Sequence, residues 1–149
     1  MAKTSRILIA PLLSMLLLSS GLGTTSAGAA TSSVVTTVTT TAPIFEFYGF
    51  FGPSQTALSC QLTYNQNAYC ESYTPSLTHN ATVTSKGVVT TCVGASCGSN
   101  AGIGTPDLGP STLVRAGNVS CLIGQLKVTC TNTSGKGFVF TAKTITKLG

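Results

Sequence analysis

The chain predicts a small all-β fold, an antiparallel domain stapled by disulfides. Three observations carry that reading. Six cysteines fall late in the chain, at Cys60, Cys70, Cys92, Cys97, Cys121 and Cys130. Short β-branched and aromatic runs alternate with turn residues. No stretch beyond the N-terminal region carries a 3.6-residue apolar period. The 149 residues allow one ordinary domain. Charged residues make up 7% of them, which excludes a coiled coil and an acidic disordered tail.

Residues 1–29 read as a secretory signal peptide. Lys3 and Arg6 form a positive start, Ile7 to Leu18 is an apolar run, and Ala27-Gly28-Ala29 supplies small residues at a cleavage site. The run is about a dozen residues, short of the roughly 20 a membrane-spanning helix needs. No stable membrane span is therefore expected after cleavage, and the mature protein is expected outside the cell or on its envelope. Residues 30–42 are rich in Thr and Ser and read as a mobile leader or linker. Val34, Val35 and Val38 also suit a strand there. The folded domain is expected over residues 43–149.

Within that domain, Ile44 to Tyr48 is strand-like. Gln61 to Tyr64 and Ala68-Tyr69 flank the turn-forming Asn65-Gln66-Asn67. Thr82 to Thr84 and Val88 to Thr91 flank Ser85-Lys86-Gly87, a second hairpin. Gly98 to Pro110 is a glycine- and proline-rich loop. Leu122-Ile123 and Val128-Thr129 flank Gly124 to Lys127. Phe138 to Thr141 with Thr144 to Thr146 reads as one closing strand, with Phe138, Phe140 and Ala142 on one face and Thr141, Lys143 and Lys147 on the other.

In an exported chain an even number of cysteines implies disulfides. Several connectivities are open, and the spacing favours sequential pairing, Cys60–Cys70, Cys92–Cys97 and Cys121–Cys130. The first and last bridges would staple hairpins, with Gln61 opposite Tyr69 and Leu122 opposite Thr129. Zinc is the rival for clustered cysteines, but it usually needs two closely spaced Cys/His pairs. Only Cys92 and Cys97 approach that spacing, and His79 is the only histidine. No metal and no cofactor are expected.

The C-terminal third carries Val119-Ser120-Cys121, then Val128-Thr129-Cys130-Thr131-Asn132, then Gly135-Lys136-Gly137-Phe138. Earlier, Phe51-Gly52-Pro53-Ser54 precedes Cys60 and Cys70. This pattern resembles a family of small secreted actinobacterial proteins of unknown function, which end in a C-x-N…G-H-G-F motif and a final strand. Here Lys136 stands in place of the family's histidine, and the family's tryptophan is absent. The resemblance implies an exported, disulfide-bonded, mostly β domain and brings no activity with it.

Groups suited to catalysis are few. A hydrolytic triad or a nuclease needs an imidazole, and Glu71, His79 and Arg115 are the one combination that would suit a ribonuclease-like hydrolase if they met. Glu46 and Asp107 complete the acids. Gly135-Lys136-Gly137 lacks the spacing and following helix of a phosphate loop. The remaining basic residues are scattered rather than gathered into a stripe, so nucleic acid is not an expected partner. Tyr64, Asn65, Asn67, Tyr69 and Tyr73 gather around the first hairpin, as a polar-aromatic face for a glycan or protein would. The expectation is a non-catalytic domain that binds an extracellular partner or surface component. A small hydrolase and a structural envelope protein are the alternatives.

Overall fold

The computed structural model describes residues 34–51, 56–74, 77–97 and 106–149. The proposed export segment, and Pro53-Ser54 of the family-like motif, lie outside these residues. The described chain is two stacked β-sheets. The first is a meander of β2 (Ile44–Phe51), β3 (Thr56–Thr63), β4 (Asn67–Thr74), β5 (Leu77–Thr84) and β6 (Val89–Val93). The second holds β7 (Thr112–Ala116), β8 (Val119–Ile123), β9 (Lys127–Asn132), β10 (Gly137–Thr141) and β11 (Ile145–Leu148), again in sequence order. β1 (Thr36–Thr39) precedes the first meander yet pairs in parallel with β7, at the edge of the second. All other strand pairs are antiparallel.

The core follows from strand alternation, which sends every second side chain to one face. Phe47, Leu58, Leu62, Ala68, Ala81 and Val83 project from the five-stranded sheet and are fully buried. Val114, Val119, Ile123, Val128, Phe138 and Phe140 meet them from the six-stranded sheet. β5 packs across β9, β10 and β11, and β4 packs across β8. Ser72 also faces inward, and its buried hydroxyl has no hydrogen-bond partner.

The three disulfides pair in sequence order, Cys60–Cys70, Cys92–Cys97 and Cys121–Cys130. In β3–β4 Gln61 faces Tyr69, and in β8–β9 Leu122 faces Thr129. The β5–β6 hairpin turns at Ser85-Lys86-Gly87, with Gly87 at φ 83°.

Two expectations are corrected. Thr36–Thr39, inside the segment read as a mobile leader, is a strand, with Thr36 N–H donating to Ser111 O and Thr40 N–H to Arg115 O, both at 2.9 Å. The closing segment is two strands rather than one. Thr141 folds the chain back, its hydroxyl oxygen accepting from Thr144 N–H at 2.9 Å. The turn takes Ala142 and Lys143 out of the strand, and Lys147 comes to lie opposite Phe138 at the exposed sheet edge. Of the Gly98–Pro110 loop, residues 98–105 lie outside the described set. Pro106 to Leu108 runs beside β2, with Tyr48 N–H donating to Pro106 O and Leu108 N–H to Tyr48 O, both at 2.9 Å.

Four turns meet at one end of the sandwich and close a ring of hydrogen bonds. Ser85 N–H donates to Gln66 O at 2.6 Å, Thr133 N–H to Asn118 O at 3.1 Å, and Asn65 N–H to Ala116 O at 3.2 Å. Asn118 N–H donates to Asn65 Oδ1 at 3.1 Å, and Asn132 Nδ2 donates to Ser85 O at 3.2 Å. Gly117, at φ 63°, lets Asn65 approach, because a Cβ there would occupy the place of the Asn65 carboxamide. Asn132 is the most committed member. It is 6% exposed, and its Oδ1 also accepts from Ser134 N–H, Ser134 Oγ and Lys136 N–H at 3.1, 2.9 and 3.0 Å. An Asn132→Ala variant is expected to lose about 2 kcal/mol in denaturant unfolding, because it removes four part-buried hydrogen bonds at once.

Candidate functional site

A groove of about 330 Å³ opens on the six-stranded sheet beside this ring. Its floor follows from strand register. Cys121 and Cys130 point into the core, so Ser120 and Thr131 point outward. Arg115 pairs with Ser120, and Ser120 pairs with Thr131, which sets the three side by side across β7, β8 and β9. Asn118, Asn132 and Thr133 form the rim, with Gly117 and Val119. The rim turns belong to the hydrogen-bonded ring, so the groove is built on fixed backbone.

Arg115 is exposed, and among the described residues its guanidinium is the single ionised group lining the groove. Ser120, Thr131 and Thr133 add hydroxyls that both donate and accept, and Asn118 adds a carboxamide. Among the described residues, no carboxylate, imidazole or thiol lines the groove. Hydroxyls, carboxamides and a guanidinium are groups that hydrogen-bond hydroxylated or anionic ligands.

The charges are sorted between the two sheets. Glu46 and Glu71 project outward from β2 and β4, and Asp107 bridges to Tyr48 of β2, so all three acids lie with the five-stranded sheet. Arg115, Lys127 and Lys147 lie on strands of the six-stranded sheet, and Lys136 and Lys143 lie in its turns. Lys86 alone among the basic residues of the described set sits with the first sheet, in the β5–β6 turn. The groove therefore opens on the basic side.

The residues proposed for a hydrolase do not converge. Glu71 points outward from the five-stranded sheet and accepts a hydrogen bond from Tyr69 OH at 2.7 Å. His79 pairs with Ser72 and so shares the core-facing side of β5. Arg115 lies on the outer face of the other sheet, and stacked sheets stand about 10 Å apart.

The residues proposed as a polar-aromatic face are also divided. Tyr64 packs against the core cluster, and Asn65 is part of the ring. Asn67 and Tyr69 share the outer face of β4. Tyr73 belongs to β4, but its side chain lies outside the described residues.

The sequence assigned no binding role to Ser120, Thr131, Asn118 or Thr133. A signal for two of them was present, since pairing Cys121 with Cys130 already sets Ser120 opposite Thr131. Nothing local linked Arg115 to them, because that needs the β7–β8 register. No helix among the described residues is long and apolar enough to cross a membrane. The class defined by fold and site is thus an all-β, disulfide-bonded sandwich with a polar, cationic groove. Comparison with protein-family models, with curated proteins and with solved structures finds no match.

Proposed function

We propose that the chain is exported and acts without catalysis, binding an extracellular partner or surface component through the Arg115 groove. The observation that carries this is the lining: one guanidinium set among hydroxyls and carboxamides. An N-terminal segment with the pattern of a signal peptide supports export, and so do three disulfides. The resemblance to small secreted actinobacterial proteins speaks for export alone. The partner of choice is a glycan bearing phosphate or carboxylate groups. An exposed arginine forks onto such oxygens with two parallel hydrogen bonds, and neighbouring hydroxyls accept and donate to sugar hydroxyls.

The test is co-sedimentation of the mature protein with insoluble wall polysaccharide, before and after chemical removal of its anionic groups. Wild type is expected to sediment with the untreated material and to be released by added salt, since the contact is screened. Arg115→Ala is expected to weaken binding about tenfold, consistent with losing one charge-assisted hydrogen-bonded contact. Its unfolding midpoint should stay unchanged, because an exposed side chain outside the core contributes within about 0.5 kcal/mol. Equal binding by wild type and Arg115→Ala would remove the groove from the interaction.

A further inference from the structure

The edge of a β-sheet is a row of unpaired N–H and C=O groups, a template for another strand unless something dulls it. Among the described residues, the outer edge of β2 is taken by Pro106 to Leu108, bonded through Tyr48. β1 is only four residues long. β11 carries Lys147 and follows Lys143 in its turn. β6 has none of these devices. Val89-Thr90-Thr91-Cys92-Val93 holds no charge and no proline. Thr90 to Val93 are all exposed, Val93 by 60%.

Two hydrogen bonds fix which groups of β6 point outward. Thr84 N–H donates to Val88 O at one end, and Gly94 N–H donates to Thr78 O at the other, both at 3.0 Å. In an antiparallel pair, alternate residues bond to the partner strand. Val88, Thr90, Cys92 and Gly94 therefore bond back to β5. Val89, Thr91 and Val93 turn their N–H and C=O groups to the open edge. These three pair with Val83, Ala81 and His79, and Val83 and Ala81 are fully buried. Their side chains thus lie on the core-facing side of the sheet. The 3-10 turn Ala95–Cys97 is held over β5, where Asn80 Nδ2 donates to Cys97 O, and the Cys92–Cys97 bridge fastens it there.

We infer that β6 is the contact of a symmetric dimer, in which it pairs antiparallel with β6 of a second copy about a two-fold axis at Thr91. That register sets Val89 opposite Val93, Thr91 opposite Thr91 and Thr90 opposite Cys92. The residues that must bond across the axis are the ones whose polar groups already point outward, each pair exchanging both its N–H···O bonds. A slip of one residue would oppose an outward residue to an inward one and lose them. The side-chain pairs are valine on valine and threonine on threonine, both favourable across strands. No like charges meet, because the strand has none. The two five-stranded sheets become one continuous sheet, and the interface is isologous, as a two-fold requires. A single strand edge buries less than a standard interface, so the association is a weak one.

The test is sedimentation equilibrium of the oxidised mature chain, with amide hydrogen exchange read by NMR in dilute and concentrated samples. The mass is expected to rise from one chain toward two with concentration. The amides of Val89, Thr91 and Val93 should exchange at least about tenfold more slowly in the concentrated sample, as expected for newly bonded donors. Those of Thr90 and Cys92, already bonded to β5, should change little. Thr91→Pro removes the central donor from the edge and none from the β5 ladder, so the sheet tolerates it. Val93→Lys leaves the backbone intact and places a charge on the edge. Each should weaken pairing at least about tenfold, on the order of two lost hydrogen bonds. Three results would each overturn the dimer. One is a mass of a single chain up to about 1 mM, where a dissociation constant of about 1 mM would already pair about half the chains. The others are a dimer that leaves those three amides unprotected, and a dimer undiminished in both variants. The exchange measurement uses the unaltered chain, so it does not depend on whether either variant folds.

Discussion

Gly137→Ala is expected to destabilise the domain by about 3 kcal/mol, the upper part of the range for overpacking a tight site. Gly137 opens β10, is buried, and pairs with Thr131 of β9. A methyl group built on it would overlap the carbonyl oxygen of Cys130 and stand 2.9 Å from Thr131 Cα. Both obstacles are backbone, so no rotamer change relieves them. Either β10 slides away from β9 or the strand ends open, and both disturb the packing of Phe138 and Phe140. Those rings are fully buried and stand edge to face at 6.4 Å. For a domain near this size each kcal/mol moves the midpoint about 4–8 °C, so thermal unfolding should fall by about 15 °C. Gly109→Ala is the control. A Cβ there meets nothing within 4 Å, and its midpoint should be unchanged.

Local chemistry made the hairpins legible, and long-range pairing stayed hidden. Cys60 with Cys70 and Cys121 with Cys130 are cross-strand partners, so placing the staples also set the register of two hairpins. Gly87 likewise marked the β5–β6 turn, because a positive φ there suits glycine. The break between β10 and β11 went unread because Thr141-Ala142-Lys143-Thr144 contains neither Gly nor Pro. A threonine hydroxyl does the turning there, and threonine looks like strand in sequence. β1 was harder still. Its partner β7 lies more than seventy residues away, and a run of Thr and Val carries the same signature whether it pairs or trails free. The groove was lost for a similar reason, since Ser120 and Thr131 followed from the staple but Arg115 came from a strand with no cysteine.

The two core staples are expected to be energetically coupled, and the third to be independent. Replacing Cys60 and Cys70 by Ala, or Cys121 and Cys130 by Ala, should each cost about 3 kcal/mol in denaturant unfolding. Loops of ten and nine residues account for most of it through the freer unfolded chain. Lost sulfur packing in a fully buried place accounts for the rest. The 3.5 Å contact between Cys70 Sγ and Cys130 Sγ belongs to both staples, so the first replacement already removes it. The second is then cheaper, and the fourfold variant should fall short of the additive sum by about 1 kcal/mol, within the range for residues in contact. Replacing Cys92 and Cys97 should instead add to either loss within about 0.5 kcal/mol. That bridge closes a five-residue separation with Cys92 exposed, away from the other sulfurs. Strict additivity between the two core staples would mean that the sulfur contact contributes nothing to cohesion between the sheets. A domain with about 5–15 kcal/mol to lose would then owe its stacking to Phe47, Phe138 and Phe140.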